Sequence, residues 1–209
     1  MRGGYLERGY MKNLFEYENK YGHMGPVAGT DEAGRGPLAG PVVCACVIMP
    51  LELDKLIDGV DDSKKLTPAK REMLYDKIIK AAVSYGISVI DREVIDEINI
   101  LNATKLGMKE AYEKMQIKPA VLLTDAVKVN VPVLQQNIIH GDSLSYNIAA
   151  ASILAKVTRD NIMRGYAKQY PQYNFEQHKG YGTPQHIEKL KQYGKCPIHR
   201  ETFIKNFIS

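Results

Sequence analysis

Four carboxylates stand where apolar segments end. Asp31 and Glu32 close "VAGTDEAG", Asp125 closes "PAVLLTDA", and Asp142 follows "VLQQNIIHGD". Any one of them alone is more readily a solvated strand-end acid than a functional group; the set of four points to chemistry. Clustered carboxylates repel one another and raise each other's pKa unless cations neutralise them. Hard oxygen donors without His or Cys select Mg²⁺ or Mn²⁺ over zinc. Two such ions roughly 3.5 to 4 Å apart can clamp a phosphodiester, one activating water and the other stabilising the leaving oxygen. The implied chemistry is phosphodiester hydrolysis.

Directly after the first two acids comes the turn Gly34-Arg35-Gly36. It lacks the length and the Lys-Ser/Thr ending of a phosphate-binding P-loop, and it does not open a helix as a dinucleotide fingerprint does. A plain tight turn is one reading. The other is a place where backbone amides and carbonyls approach a small group such as a sugar hydroxyl, which glycine permits. The neighbouring acids favour the second.

These residues need a sheet to position them. "VAGTDEAG", "GPVVCACVIMP", "YGISVI" and "PAVLLTDA" are apolar runs bounded by Gly or Pro, and "VLQQNIIHGD" is a weaker fifth strand. Helical patterns lie between them. The first has Thr67 as N-cap and Pro68 at the first helical position, with Met73, Leu74, Ile78 and Ala81 on one buried face. "NILNATKLGMKEAYEKMQI" is a second, and "SLSYNIAAASILAKVTRDNIMRGYAKQY" a third, long and buried through its small residues. Strands with interleaved helices predict a mixed α/β sheet with helices on its faces. After Tyr170 the spacing turns irregular, as a loop with one short helix.

At 209 residues, with 44% hydrophobic and 25% charged residues, the chain reads as one globular domain with a small C-terminal appendage. It has no apolar run of the roughly 20 residues needed to cross a bilayer, and its first residues lack the pattern of a secretory signal. Cys44, Cys46 and Cys196 are odd in number and not at zinc-ligand spacing, which predicts buried free thiols and a cytoplasmic setting. The net charge of +4 is uneven. Ten Lys or Arg against four Asp or Glu between Ile153 and Ser209 put +6 there and leave −2 upstream, so the C-terminal quarter is either a solvated helical surface or a phosphate-facing one.

The segments "GTDEAGRGPLAGPVV", "DDSKKLTPAKRE", "NILNATKLGM", "LLTDA", "GDSLSYNIAAASILAKVTRD", "HKGYGTPQH" and "CPIHRETF", in this order, resemble bacterial ribonuclease HII. The resemblance covers nearly the whole chain from Val27. It implies a ribonuclease H-like fold, a central mixed five-stranded sheet flanked by helices with a small C-terminal helical segment. The implied organisation is an N-terminal extension (1–24), a catalytic domain (25–170) and a C-terminal substrate-binding segment (171–209). The family's metal ligands fall on Asp31, Glu32, Asp125 and Asp142, and its cofactor is Mg²⁺ or Mn²⁺ in a two-metal mechanism. Its reader of the ribose 2′-hydroxyl falls on Gly34, Arg35 and Gly36, and the ring that stacks on the following deoxyribose falls on Tyr181. Ser63, Lys64 and Lys179 resemble its phosphate contacts, with His178 as a further candidate or as a cap for the Tyr181 loop.

The expected substrates are RNA/DNA hybrids and duplex DNA with embedded ribonucleotides, cut 5′ of the ribonucleotide by a cytoplasmic monomer. Lys156 and Arg159 are expected to support the site, and His140 and His199 to be structural. Two other readings stand beside this one: a two-metal nuclease of the same fold class acting on DNA, and a noncatalytic nucleic-acid-binding module.

Overall fold

The computed structural model describes residues 14–208 apart from Ala126 and His140. The expectation for His140, and for the first 13 residues of the extension, therefore lies outside the described residues. Five strands form one mixed sheet: β1 (Val27–Ala33), β2 (Val42–Ile48), β3 (Ser84–Ile90), β4 (Val121–Asp125) and β5 (Leu134–Ile138). Their spatial order is β3-β2-β1-β4-β5. β1 runs antiparallel to β2 and parallel to β4, and β4 runs parallel to β5. The register Thr30↔Thr124 places Asp31 and Asp125 next to one another at the carboxyl end of the parallel trio.

The central strands read as continuous apolar runs because helices cover both their faces. On one face Val43, Ala45 and Val47 pack against α2 (Pro68–Ala81) and α5 (Tyr146–Gln169). On the other, Cys44, Cys46 and Ile48 pack against α3 (Arg92–Lys114). Cys44 and Cys46 thus share one face, and all three cysteines are buried free thiols. Gly29 lets α5 lie directly on β1, since a Cβ there would stand 2.2 Å from the Ile148 nitrogen. Asn147 ties the two together, accepting from Met49 N–H (2.7 Å) and donating to the Val27 carbonyl (3.1 Å).

Two sequence expectations need correction, and a third is refined. Thr67 does cap α2, accepting from Lys70 N–H, but Met73 is 47% exposed. The buried face is centred on Leu74 and Ile78, and a residue one step before Leu74 is rotated about 100° away from it. The helix expected from Asn99 does start there: the Asn99 side chain caps it, accepting from Leu101 and Asn102 N–H, and a kink at Asn99, with φ of 65°, joins it to a preceding helical stretch from Arg92 so that α3 is one bent element. The segment after Tyr170 is more helical than expected, with α6 (Phe175–His178), α7 (Pro184–Tyr193) and α8 (Glu201–Ile204). It is also closely joined to the sheet domain through an Ala39↔His199 bridge and the bond from Leu38 N–H to the Gly180 carbonyl (2.8 Å). No helix among the described residues is long and apolar enough to cross a membrane.

Candidate active site

Asp31 and Glu32 lie in the last three residues of β1, β4 ends in Asp125, and Asp142 sits on the short helix α4 (Gly141–Leu144) that follows β5. Alternation along β1 sends the first two side chains to opposite faces of the strand end. Burial pushes the Asp31 carboxyl well above the usual range, and the charges of Glu32, Asp125 and Asp142 push it further. Burial likewise raises Glu32; Arg35 works against that shift, its Nη1 3.6 Å from the Glu32 carboxylate, while Asp125 adds to it. Burial also raises Asp142, with Asp62 and Asp125 adding to it. The four acids named from the sequence therefore share one electrostatic environment.

Lys64 enters the same environment, its Nζ 3.7 Å from Asp142. It is carried on a 3₁₀ turn, Ser63–Lys65, whose N-cap Asp62 accepts from Lys64 N–H (2.9 Å). Asp62 has two functions here: it shapes the lysine turn, and it adds a fifth carboxylate beside Asp142. Ser63 is buried, its N–H donating to Ser152 Oγ and its carbonyl accepting from Arg71, which leaves Lys64 as the outward member of the pair.

Arg35 and Gly36 are exposed, and Tyr181 is 44% exposed. A Cβ on Gly36 would lie 3.8 Å from Tyr181 Cε1, so turn and ring adjoin. Lys179 is placed elsewhere. Its Nζ donates to the Glu176 carbonyl, and it lines a polar recess of about 300 Å³ with Arg71, Lys156 and Arg164. Lys156 pairs with Asp160 there (2.8 Å).

Besides Asp62, three features escaped the sequence reading. The first is a chain of buried imidazoles under Tyr181. His186 Nδ1–H donates to the Tyr181 carbonyl (2.9 Å), so its Nε2 must accept from His199 (3.1 Å), whose Nδ1 accepts from Cys196 N–H (2.9 Å). Every ring nitrogen is thereby used with both imidazoles neutral, and burial lowers each pKa to about 4. His178 stacks on His186 at 4.4 Å, donates to the Tyr173 carbonyl and accepts from Gly180 N–H, so it shapes the loop from within. The second is Glu18 on α1 (Glu16–Tyr21), whose carboxylate accepts from Ser145 Oγ (2.6 Å) and Asn147 N–H (3.0 Å) and so fastens the N-terminal helix to the start of α5. The third is Arg200, fully buried, which donates to the carbonyls of Gly34, Arg35 and Gly40.

Among the described residues, no three His, Cys, Asp or Glu side chains already stand together closely enough to chelate one ion. The donor set nonetheless fits hard divalent cations: it is all oxygen and carboxylate-rich, and burial with the repulsion of neighbouring acids pushes Asp31, Glu32 and Asp142 up, a strain that a cation would relieve.

An acid-edged mixed sheet with a glycine turn and an exposed tyrosine beside it defines an α/β nuclease of the ribonuclease H-like class. The chain belongs to the ribonuclease HII family, whose model matches residues 28–206. It is 57% identical over 183 residues to the ribonuclease HII of Ruminiclostridium cellulolyticum, covering 87% of this chain and 71% of the relative. To that of Caldicellulosiruptor bescii it is 52% identical over 201 residues, covering 95% and 97%. Among solved structures, ribonuclease H2 from Pyrococcus horikoshii superposes with a TM-score of 0.72 at 30% identity, covering 87% of this chain and 96% of that one. The protein is an endonuclease that hydrolyses RNA in RNA/DNA hybrids, and its family is metal-dependent.

Proposed function

We propose that Asp31, Glu32, Asp125 and Asp142 hold two Mg²⁺ or Mn²⁺ ions, and that the chain cuts RNA/DNA hybrids and duplex DNA on the 5′ side of an embedded ribonucleotide. The products are a 3′-hydroxyl and a 5′-phosphate. The observation that carries this reading is that the Thr30↔Thr124 register sets Asp31 beside Asp125 at one sheet edge, with β5 ending opposite Asp125 just before Asp142, so that acids from three separate chain segments converge there. Bound there, such ions supply an activated water and charge stabilisation at the leaving oxygen.

The chain's own residues do the rest. Gly34, Arg35 and Gly36 present main-chain groups to the 2′-hydroxyl, the atom that tells RNA from DNA at a given position. Tyr181 lies beside them for the next, deoxy sugar. Lys64 and Lys179 neutralise phosphates on two sides of the site, and the segment 171–209 is the substrate-binding part. Ser63 contributes by fixing the turn that carries Lys64. We place this activity in the cytoplasm, in a monomer, consistent with three unpaired buried thiols.

Replacing Asp125 with Asn tests the assignment. Turnover in Mg²⁺ is expected to fall by at least about a hundredfold, with the melting temperature unchanged or raised because one repelling charge is gone. Near wild-type turnover in the folded variant would show that Asp125 is not a ligand.

A further inference from the structure

Arg159 and Arg200 are both buried, and neither is paired with a carboxylate among the described residues. A buried charge without a counter-ion is costly unless hydrogen bonds satisfy it. Each guanidinium meets that requirement with three main-chain carbonyls. Arg159 donates from Nε to Pro41 (3.0 Å), from Nη1 to Lys179 (3.0 Å) and from Nη2 to Ala39 (3.1 Å). Arg200 donates from Nε to Gly40 (2.9 Å), from Nη1 to Arg35 (2.9 Å) and from Nη2 to Gly34 (2.6 Å).

The six acceptors belong to the segments that carry the turn and the ring. Arg200 pulls the carbonyls of Gly34 and Arg35 inward, which turns the N–H groups of Arg35 and Gly36 the other way across their peptide planes. Arg159 lies under the ring loop, its Cζ 5.9 Å from the centre of the Tyr181 ring, and its Nη1 holds the Lys179 carbonyl. Between the two runs the stretch 38–41, bonded to both arginines and, through Leu38 N–H, to Gly180. Fit is close: a Cβ on Gly34 would stand 2.1 Å from Arg159 Nε, and one on Gly180 2.4 Å from the Ala39 carbonyl oxygen. A planar fork with fixed donor directions holds several carbonyls at once, which a lysine ammonium on its flexible stem does not.

We propose that Arg159 and Arg200 are positioning residues for substrate discrimination, holding the Gly34–Gly36 turn and the Tyr181 ring at one fixed separation so that both contacts fall on a single ribose-to-deoxyribose step. This rests on the reading of turn and ring given above. The separation matters only where a ribonucleotide is followed by a deoxyribonucleotide, because inside an RNA tract the ring meets no deoxy sugar.

The test is a competition in one tube between a duplex with a single embedded ribonucleotide and an RNA/DNA hybrid cut within its RNA tract. The ratio of the two rates does not depend on how much of the enzyme is folded. Arg159→Lys is expected to lower the junction-to-tract ratio by about tenfold, and Arg200→Lys, the second variant should the first not fold, by a similar factor. In a Tyr181→Ala background either lysine substitution is expected to change the ratio by less than about twofold, the non-additivity of residues acting through one another. An unchanged ratio in the folded lysine variants overturns the proposal, and so does a tenfold drop that persists without the Tyr181 ring. A wild-type enzyme with no junction preference would instead show that the reading of turn and ring has failed, and the proposal would fall with it.

Discussion

Gly36 and Tyr181 lie side by side at the molecular surface although they are far apart in the chain: a Cβ on Gly36 would come 3.8 Å from Tyr181 Cε1. That is ordinary van der Waals contact, and Gly36 does not need a left-handed φ. Nothing in the protein itself therefore demands glycine there. On the reading proposed above, glycine is there to leave room for the sugar that approaches the turn.

Gly36→Ala is accordingly expected to change stability by no more than about 0.5 kcal/mol while cutting cleavage at a single ribonucleotide by about tenfold or more. Affinity for an all-deoxy duplex is expected to stay as it was. Gly34→Ala is the contrast, because φ of 101° and the overlap with Arg159 make it destabilising as well. Melting curves, cleavage rates and duplex binding for both variants check this; a Gly36→Ala enzyme that cleaves normally would remove the sugar from the account.

Lys179 and Tyr181 should separate in their salt dependence. A lysine that neutralises a phosphate releases a counterion on binding, whereas a ring against a sugar releases none. In a cleavage-dead background, Lys179→Ala is expected to flatten the slope of log affinity against log salt by up to about one unit, and Tyr181→Ala to leave it unchanged while impairing junction cleavage in the active enzyme. If Lys179→Ala retains the full slope, the recess it shares with Arg71, Lys156 and Arg164 is not on the substrate path.

The imidazoles under Tyr181 predict a pH dependence of stability. His186 and His199 have an ordinary value of 6.5 and are lowered to about 4 in the folded chain, chiefly by burial. Between those values the unfolded chain binds protons that the folded chain does not, so their contribution is complete above pH 6.5 and is lost as pH falls toward 4. NMR titration of the ring carbons should find both neutral at pH 5.5. Rings half-protonated near 6.5 would contradict the hydrogen-bond chain.

Much of this was legible from sequence because it rests on local patterns. Strand-end acids announce themselves by an apolar run that stops in a charge, as at "AVLLTD", and Thr67-Pro68 marks a helix start whatever surrounds it. Met73 misled because an apolar residue on an exposed helix flank obeys no periodicity. Arg200, Glu18 and Asp62 were invisible for a different reason. Each acts on groups distant in the chain, the turn at Gly34, the helix start at Ser145 and the carboxyl of Asp142, and a charged residue bonded to main-chain carbonyls or amides looks in sequence like any solvated one. His186 and His199 carried a weak signal in the spacing of "HKGYGTPQH" and "CPIHRETF", but only the fold shows which nitrogen each ring must donate from.

The most direct test is to map the cut on a duplex that carries one ribonucleotide in otherwise all-deoxy strands, with Mg²⁺ present and the all-deoxy duplex beside it. The expected result is a single cut on the 5′ side of the ribonucleotide, leaving a 3′-hydroxyl and a 5′-phosphate, with the all-deoxy duplex intact. Cleavage of both duplexes alike, or a cut on the 3′ side, would contradict it.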